Sequence, residues 1–367
     1  MALVVGHIDK LANQVKRFQE DLLSSRSIIF FDERVYFRCR RCVWCEDNNQ
    51  DESPEVKVSE TTSIRPMALE SDTPPLFTFQ TLVLYYSSRN LTHASDAINA
   101  IAGTLRFFET RLHSPMLYGL PLFSLDISLL FYGMSLQRRP EFPSYSWAGW
   151  TGEIQWSAVP EWSDETESNR RGPAANDWLD TRTWIVWYQR KGDGNIQHLL
   201  EDTEASDVPK RHIGYRHRHH TWLTGMNVIP TPDLYSSIHN YTLLQFWTYS
   251  AHFKLRSTER PSFKGNMHLV DSEDKICGRA FIHEIETIQT EVPVELLILS
   301  ECSVPLGDHF DDAQDLNVHI DNWQCYWIMI ISWEDGVASR RGIGTLDRHA
   351  INQGYPPGVV WKEVLLG

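Results

Sequence analysis

Three apolar runs in the second half of the chain limit its fold more than any other feature. They read LLQFWTYSAHFKL (243–255), VELLILSE (294–301) and YWIMIISW (326–333). Each is dense in Leu, Ile and aromatic residues, the composition of a strand buried on at least one face. The last is followed by Asp335-Gly336, a tight-turn pair that predicts a hairpin. TWIVWYQR (183–190) and the closing VVWKEVLLG (359–367) predict two more strands. Fourteen Trp, 13 Tyr and 16 Phe agree with a large, β-rich core.

The first half reads differently. Residues 9–23 place Leu11, Val15, Phe18 and Leu22 on one helical face. SIIFF (27–31) and VYFRC (35–39) predict a hairpin turning through DER. Residues 46–75 are acidic, polar and Pro-containing, the composition of a long loop or a disordered insert. Residues 92–112 carry an apolar helical stripe through Ile98, Ile101, Leu105, Phe108 and Leu112, with Thr92 as a candidate cap and Asp96 in the first turn. A second helix is predicted over 121–137 with Pro121 in its first turn. The fold class expected is α+β, a helical N-terminal part packed with a largely antiparallel β C-terminal part. Four segments follow: 1–45, 46–75, 76–156 and 157–367. No internal repeat is visible.

Composition narrows the function. The 34 basic and 48 acidic residues leave a net charge of -14, a field that repels phosphate backbones and anionic lipid. The first ten residues hold only a four-residue apolar run, too short for the core of a signal peptide. The most apolar stretch, 117–134, contains Pro121 and Asp126 and reads as buried protein rather than a membrane span. Six cysteines without a secretory signal point to free thiols, so NLT (90–92) and NYT (240–242) carry no glycan. The expected location is the cytoplasm, with protein partners, no nucleic acid and no membrane.

Several motifs suggest chemistry and fall short of it. Cys39, Cys42 and Cys45 have metal-site spacing, but Asn49 and Gln50 stand where an iron–sulfur run needs its last Cys and Pro. A zinc site needs a fourth donor, and Cys277, Cys302 and Cys325 are scattered singly. His212, His217, His219 and His220 lie in an Arg-interleaved polar stretch that reads as a solvated loop, with transition-metal binding as its alternative. DHFDDAQD (308–315) lacks the spacing and glycine of a calcium loop. GIGTLD (342–347) follows a hairpin and lacks the third glycine of a dinucleotide fingerprint. No hydrolase, zinc-protease or phosphate-loop motif occurs, so no catalytic residue, cofactor or metal ligand is assigned. Two alternatives stay open: an enzyme with a site dispersed over the His-rich and acidic loops, and a zinc-dependent module using Cys39, Cys42 and Cys45.

One stretch is more specific: RRPEFPSYSWAGWTGEIQW (138–156). Pro140 and Pro143 force an extended entry, and Trp147, Gly149, Trp150 and Gly152 alternate indoles with glycines. This reads as a buried structural corner, with an open stacking platform as the sharper alternative. The stretch resembles a signature of fungal heterokaryon incompatibility (HET) proteins, with Tyr145 where that family usually has Trp. FQEDLLSSRSIIFFDERVYFRC (18–39), YSSRNLTHASDAINAIAG (86–103), LYGLPLFSLDISLLF (117–131) and the strands at 243–255 and 327–346 are similar to other segments of the family, in the same order. The family tends to keep a Trp and an acidic residue after the first hairpin, which here are Trp44 and Glu46. The HET domain itself lies upstream of the FQE segment, and Lys16 replaces a Trp there. The resemblance therefore implies the last edge of a HET domain plus its C-terminal region, as in a truncated form. It implies a non-catalytic accessory module in non-self recognition and cell-death signalling, acting through protein–protein contacts.

Overall fold

The computed structural model describes residues 2–5, 24, 26–31, 34–39, 43–46, 75–89, 91–133, 135–156, 182–191, 195–199, 240–258, 265–284, 290–302 and 325–367. They form two compact units, Met1–His113 and Ser114–Gly367. Among them no helix is long and apolar enough to cross a membrane. Helices and strands are mixed, and a large antiparallel sheet dominates.

The first unit holds a four-stranded sheet. Its strands are β1 (Ala2–Val5), β2 (Arg26–Phe31), β3 (Arg34–Cys39) and β4 (Val43–Cys45). β1 runs parallel to β2, and the other neighbours are antiparallel. The β2–β3 hairpin is the one the sequence predicts. Glu46 closes the sheet by accepting a 2.8 Å bond from the Val35 amide and returning its own amide to the Val35 carbonyl. Trp44 is exposed. The helix predicted over 9–23 lies outside the described residues.

The helical part departs from expectation. Helix α1 (Pro75–Ser87), for which no separate helix was named within the 76–156 segment, carries a buried stripe of Leu76, Phe79, Leu82, Val83 and Tyr86. Pro75 suits its first turn. Residues 92–112 are not one helix. Two 3₁₀ turns, Ala94–Asp96 and Asn99–Ile101, precede α2 (Ala102–Leu112), and Thr92 caps nothing. The Tyr86 hydroxyl donates to the Ala97 carbonyl at 2.7 Å, which fixes this broken entry. Phe79 meets Phe108 edge to face at 5.5 Å between α1 and α2.

The second unit opens with short ladders. β5 (Met116–Leu117) pairs with β6 (Leu120–Pro121), β7 (Phe131–Tyr132) with β10 (Gln155–Trp156), and β8 (Gln137–Arg138) with β9 (Trp150–Thr151). The helix predicted over 121–137 shrinks to one turn, α3 (Leu125–Ser128). Residues 125–131 are buried on every side, so their apolar run carries no helical periodicity. The chain leaves the helix there because the Leu129 and Phe131 carbonyls are taken by Arg340.

The β region is β11 (Tyr188–Arg190), β12 (Ile196–His198), β13 (Leu243–Ser257), β14 (Asn266–Val270), β15 (Ile276–Ile282), β16 (Val294–Cys302), β17 (Cys325–Glu334), β18 (Val337–Asp347) and β19 (Tyr355–Leu366). Only 188–190 of the strand predicted over 183–190 joins a ladder; Thr183 makes a single bridge to Ser300. β14 and β15 were missed: β14 has only five residues, and the apolar run of β15 is interrupted by Gly278 and Arg279.

Six of these strands close on themselves. β13–β14–β15 and β16–β17–β18 are two antiparallel meanders, joined where β13 pairs β16 and where β15 pairs β18. Each meander offers its first and third strand to the other, so strand order is unchanged when the two are exchanged. A barrel of this size has no lumen, and its interior is filled by side chains. Here the filling includes Ala251, Phe253, Leu269, Ile282, Ile298 and Ile330. Gly344 faces the Arg279 carbonyl so closely that a Cβ would collide with it, and Gly342 stands likewise against Phe281. These two glycines let β18 press against β15. The Asp335-Gly336 turn has positive φ at both residues, 48° and 77°, the geometry of a type I′ hairpin. β19 lies along the first half of β13 and extends the sheet beyond the barrel.

Candidate functional site

The 138–156 stretch is a hub. Residues 142–150 are buried throughout, so its rings offer no open stacking platform. The Trp147 indole donates to the Gly119 carbonyl at 2.8 Å, and the Ser146 hydroxyl to the Tyr118 carbonyl at 2.7 Å. The Tyr145 hydroxyl donates to the Thr242 carbonyl at 2.7 Å, and the Trp150 indole to the Ser144 carbonyl at 2.8 Å. Ser144 binds the Gly367 carbonyl through its amide (2.9 Å) and its hydroxyl, and its hydroxyl oxygen accepts from the Arg340 amide at 2.8 Å. Arg139 turns back on the stretch and donates to the Trp150 carbonyl at 2.6 Å.

Arg340 sits at the centre with no exposed surface. Its guanidinium donates to the Leu129 and Phe131 carbonyls and, at 3.0 Å, to His283 Nε2. It also lies 3.7 Å from the centre of the Phe131 ring. Among the described residues it pairs with no carboxylate. Backbone dipoles, a ring face and an imidazole nitrogen solvate the charge instead. Burial holds this guanidinium well below its usual range. His283 is buried too, stacked parallel to Phe131 and edge-on to Trp150 at 4.5 Å. Burial, then Arg340 and Arg341, hold its imidazole well below the ordinary histidine range, so it is neutral. Accepting at Nε2 puts its proton on Nδ1, which has no acceptor among the described residues. A dyad this enclosed cannot meet a substrate. Its chemistry is to fix the backbone around it.

A second polar cluster lies on the outer wall where β13, β16, β17 and β19 meet. Glu295 accepts from Lys362 Nζ (2.7 Å), the Ser250 hydroxyl (2.6 Å) and the Trp333 indole (2.7 Å). His252 Nε2 stands 3.9 Å away. Burial alone would raise the Glu295 carboxyl, but the bonds from Lys362, Ser250 and Trp333 outweigh it and hold it below its usual value. Lys362 also lies over the Trp333 ring at 4.4 Å. The cluster ties four strands together, and every oxygen of Glu295 is engaged. It lacks a free base or nucleophile.

The residues weighed on sequence grounds do not assemble. Cys39 ends β3, Cys42 lies outside the described residues, and the register of β4 sets Cys45 opposite Tyr36 rather than opposite Cys39. His212, His217, His219, His220 and the 308–315 stretch also lie outside the described residues. Among the described residues no group of three His, Cys, Asp or Glu side chains is placed to hold a metal. Sequence reasoning passed over Arg340, His283 and Glu295. The only available signal was an arginine in an otherwise largely apolar and glycine-rich strand, between the half-buried Ser339 and Arg341. No protein-family model, curated protein or solved structure matches this chain.

Proposed function

We propose that this chain is a non-catalytic module of a fungal heterokaryon incompatibility protein, acting in the cytoplasm through protein–protein contacts in non-self recognition and cell-death signalling. In this reading the helical part and the β-rich part work as one α+β module. One observation supports it above the rest. Four of the stretches that resemble the family, far apart in sequence, are bonded to each other. The 138–156 stretch holds 117–131 through Trp147 and Ser146, and the entrance to 243–255 through Tyr145. It holds 327–346 through Ser144, and Arg340 of that segment reaches back to Leu129 and Phe131. Residues that look like a family signature thus share one physical task, the shaping of a common scaffold.

The test is genetic. The gene is deleted, and separately overexpressed, in a filamentous fungus, which is then paired with strains of several compatibility types. The expected result is a changed frequency of death among fused cells in at least one pairing, and loss of the effect with Arg340→Met. Unchanged death in every pairing would sink the proposal.

A further inference from the structure

We propose that Cys302 and Cys325 form a modification site, a cross-strand thiol pair that is oxidised to a disulfide by low-molecular-weight disulfides. Cys302 is the last residue of β16 and Cys325 the first of β17, and the ladder sets them directly opposite each other. Opposed residues of antiparallel strands have Cα atoms about 4.5 or 5.5 Å apart, and a disulfide spans about 4.4–6.8 Å. Both Cα separations fall inside that span. Both residues are buried and neither is in a disulfide. The registers differ at the other cysteines with described side chains: Cys277 points its thiol at the Leu269 carbonyl, and Cys39 stands opposite Arg26.

Position decides how the pair reacts. Burial, with Asp347 beside it, pushes the Cys325 thiol up to about 12, so the closed protein presents almost no thiolate. The pair is also the terminal rung of its ladder, and terminal rungs open at low cost. Opening lets one thiol ionise and attack a sulfur of the small disulfide, forming a mixed disulfide and releasing one thiolate. The second cysteine thiolate attacks that bond, closes the Cys302–Cys325 disulfide and releases the other. Two protons pass from the cysteines to the departing thiolates, and the small disulfide takes both electrons. The new bond ties together the end of the barrel where Glu301 holds Arg182 at 2.8 Å and Arg348 at 3.2 Å, and where Trp184 meets Tyr326.

The full chain is incubated with glutathione disulfide under native conditions, alkylated, digested and mapped by mass spectrometry. The expected product is a Cys302–Cys325 cross-linked peptide that forms faster as pH rises and disappears with reductant. Cys302→Ser should stop at a glutathione adduct on Cys325. Three results would overturn the proposal: adducts without the cross-link in the wild type, a cross-link to another cysteine, or thiols that stay unreacted until denaturant is added.

Discussion

Arg340 is the residue on which the second unit depends most. A buried cation costs several kcal/mol in desolvation, and only close partners offset it. Replacing it with Met removes the charge but leaves the Leu129 and Phe131 carbonyls without their donors. Arg340→Met should lower stability by about 3–5 kcal/mol, the range for breaking a buried polar network. A urea titration followed by tryptophan fluorescence measures it. Arg340→Lys should rescue little, since an ammonium cannot reproduce the planar fork that serves three acceptors. Glu295 makes a prediction in pH. Its carboxyl is held below the usual value in the folded protein, so its stabilising effect is present above the unfolded value of about 4.3. The effect is lost as pH falls through the lower folded value. Glu295→Gln should therefore weaken the protein at pH 6 and converge with wild type as pH falls below about 4. A urea-midpoint gap that stays constant with pH would contradict this.

At the scale of the element, the barrel depends on two glycines of β18. Gly344 abuts the Arg279 carbonyl, which is backbone and cannot swing away. Gly344→Ala should cost about 1–3 kcal/mol, as overpacking does, and lower the thermal midpoint in calorimetry. The same change at Gly358, whose surroundings are open, meets only the strain of its positive φ of 87° and serves as the contrast. The elements also show what the sequence could carry. The runs at 294–301 and 326–333 were legible as strands because burial on both sides makes them continuously apolar. The Asp335-Gly336 turn was legible because only such residues take its φ. Barrel closure was not: the joining pairs, Ala251 with Leu296 and Ala280 with Gly344, are far apart in sequence, and no local pattern encodes them. The packing role of the GIG stretch was not legible, because it depends on the opposing strand.

At the scale of the whole molecule, the division at His113 has a measurable consequence. The second unit carries its own closed barrel and the Arg340 hub. Among the described residues the bonds from Tyr145 to Thr242, Ser146 to Tyr118, Trp147 to Gly119 and Arg340 to Ser144 and Leu129 join residues of 114–367, so a fragment spanning 114–367 should fold by itself. The tryptophans make the test clean. Thirteen of the fourteen lie in 114–367, and the other, Trp44, is exposed. The near-ultraviolet circular dichroism of the fragment should therefore almost superimpose on that of the full chain, since an exposed indole contributes little to it. The fragment should also unfold in one cooperative step, because the barrel and the Arg340 hub share β18. A flat near-ultraviolet spectrum with retained far-ultraviolet signal would mean that the barrel forms but does not pack alone. That result would overturn the prediction that 114–367 folds by itself.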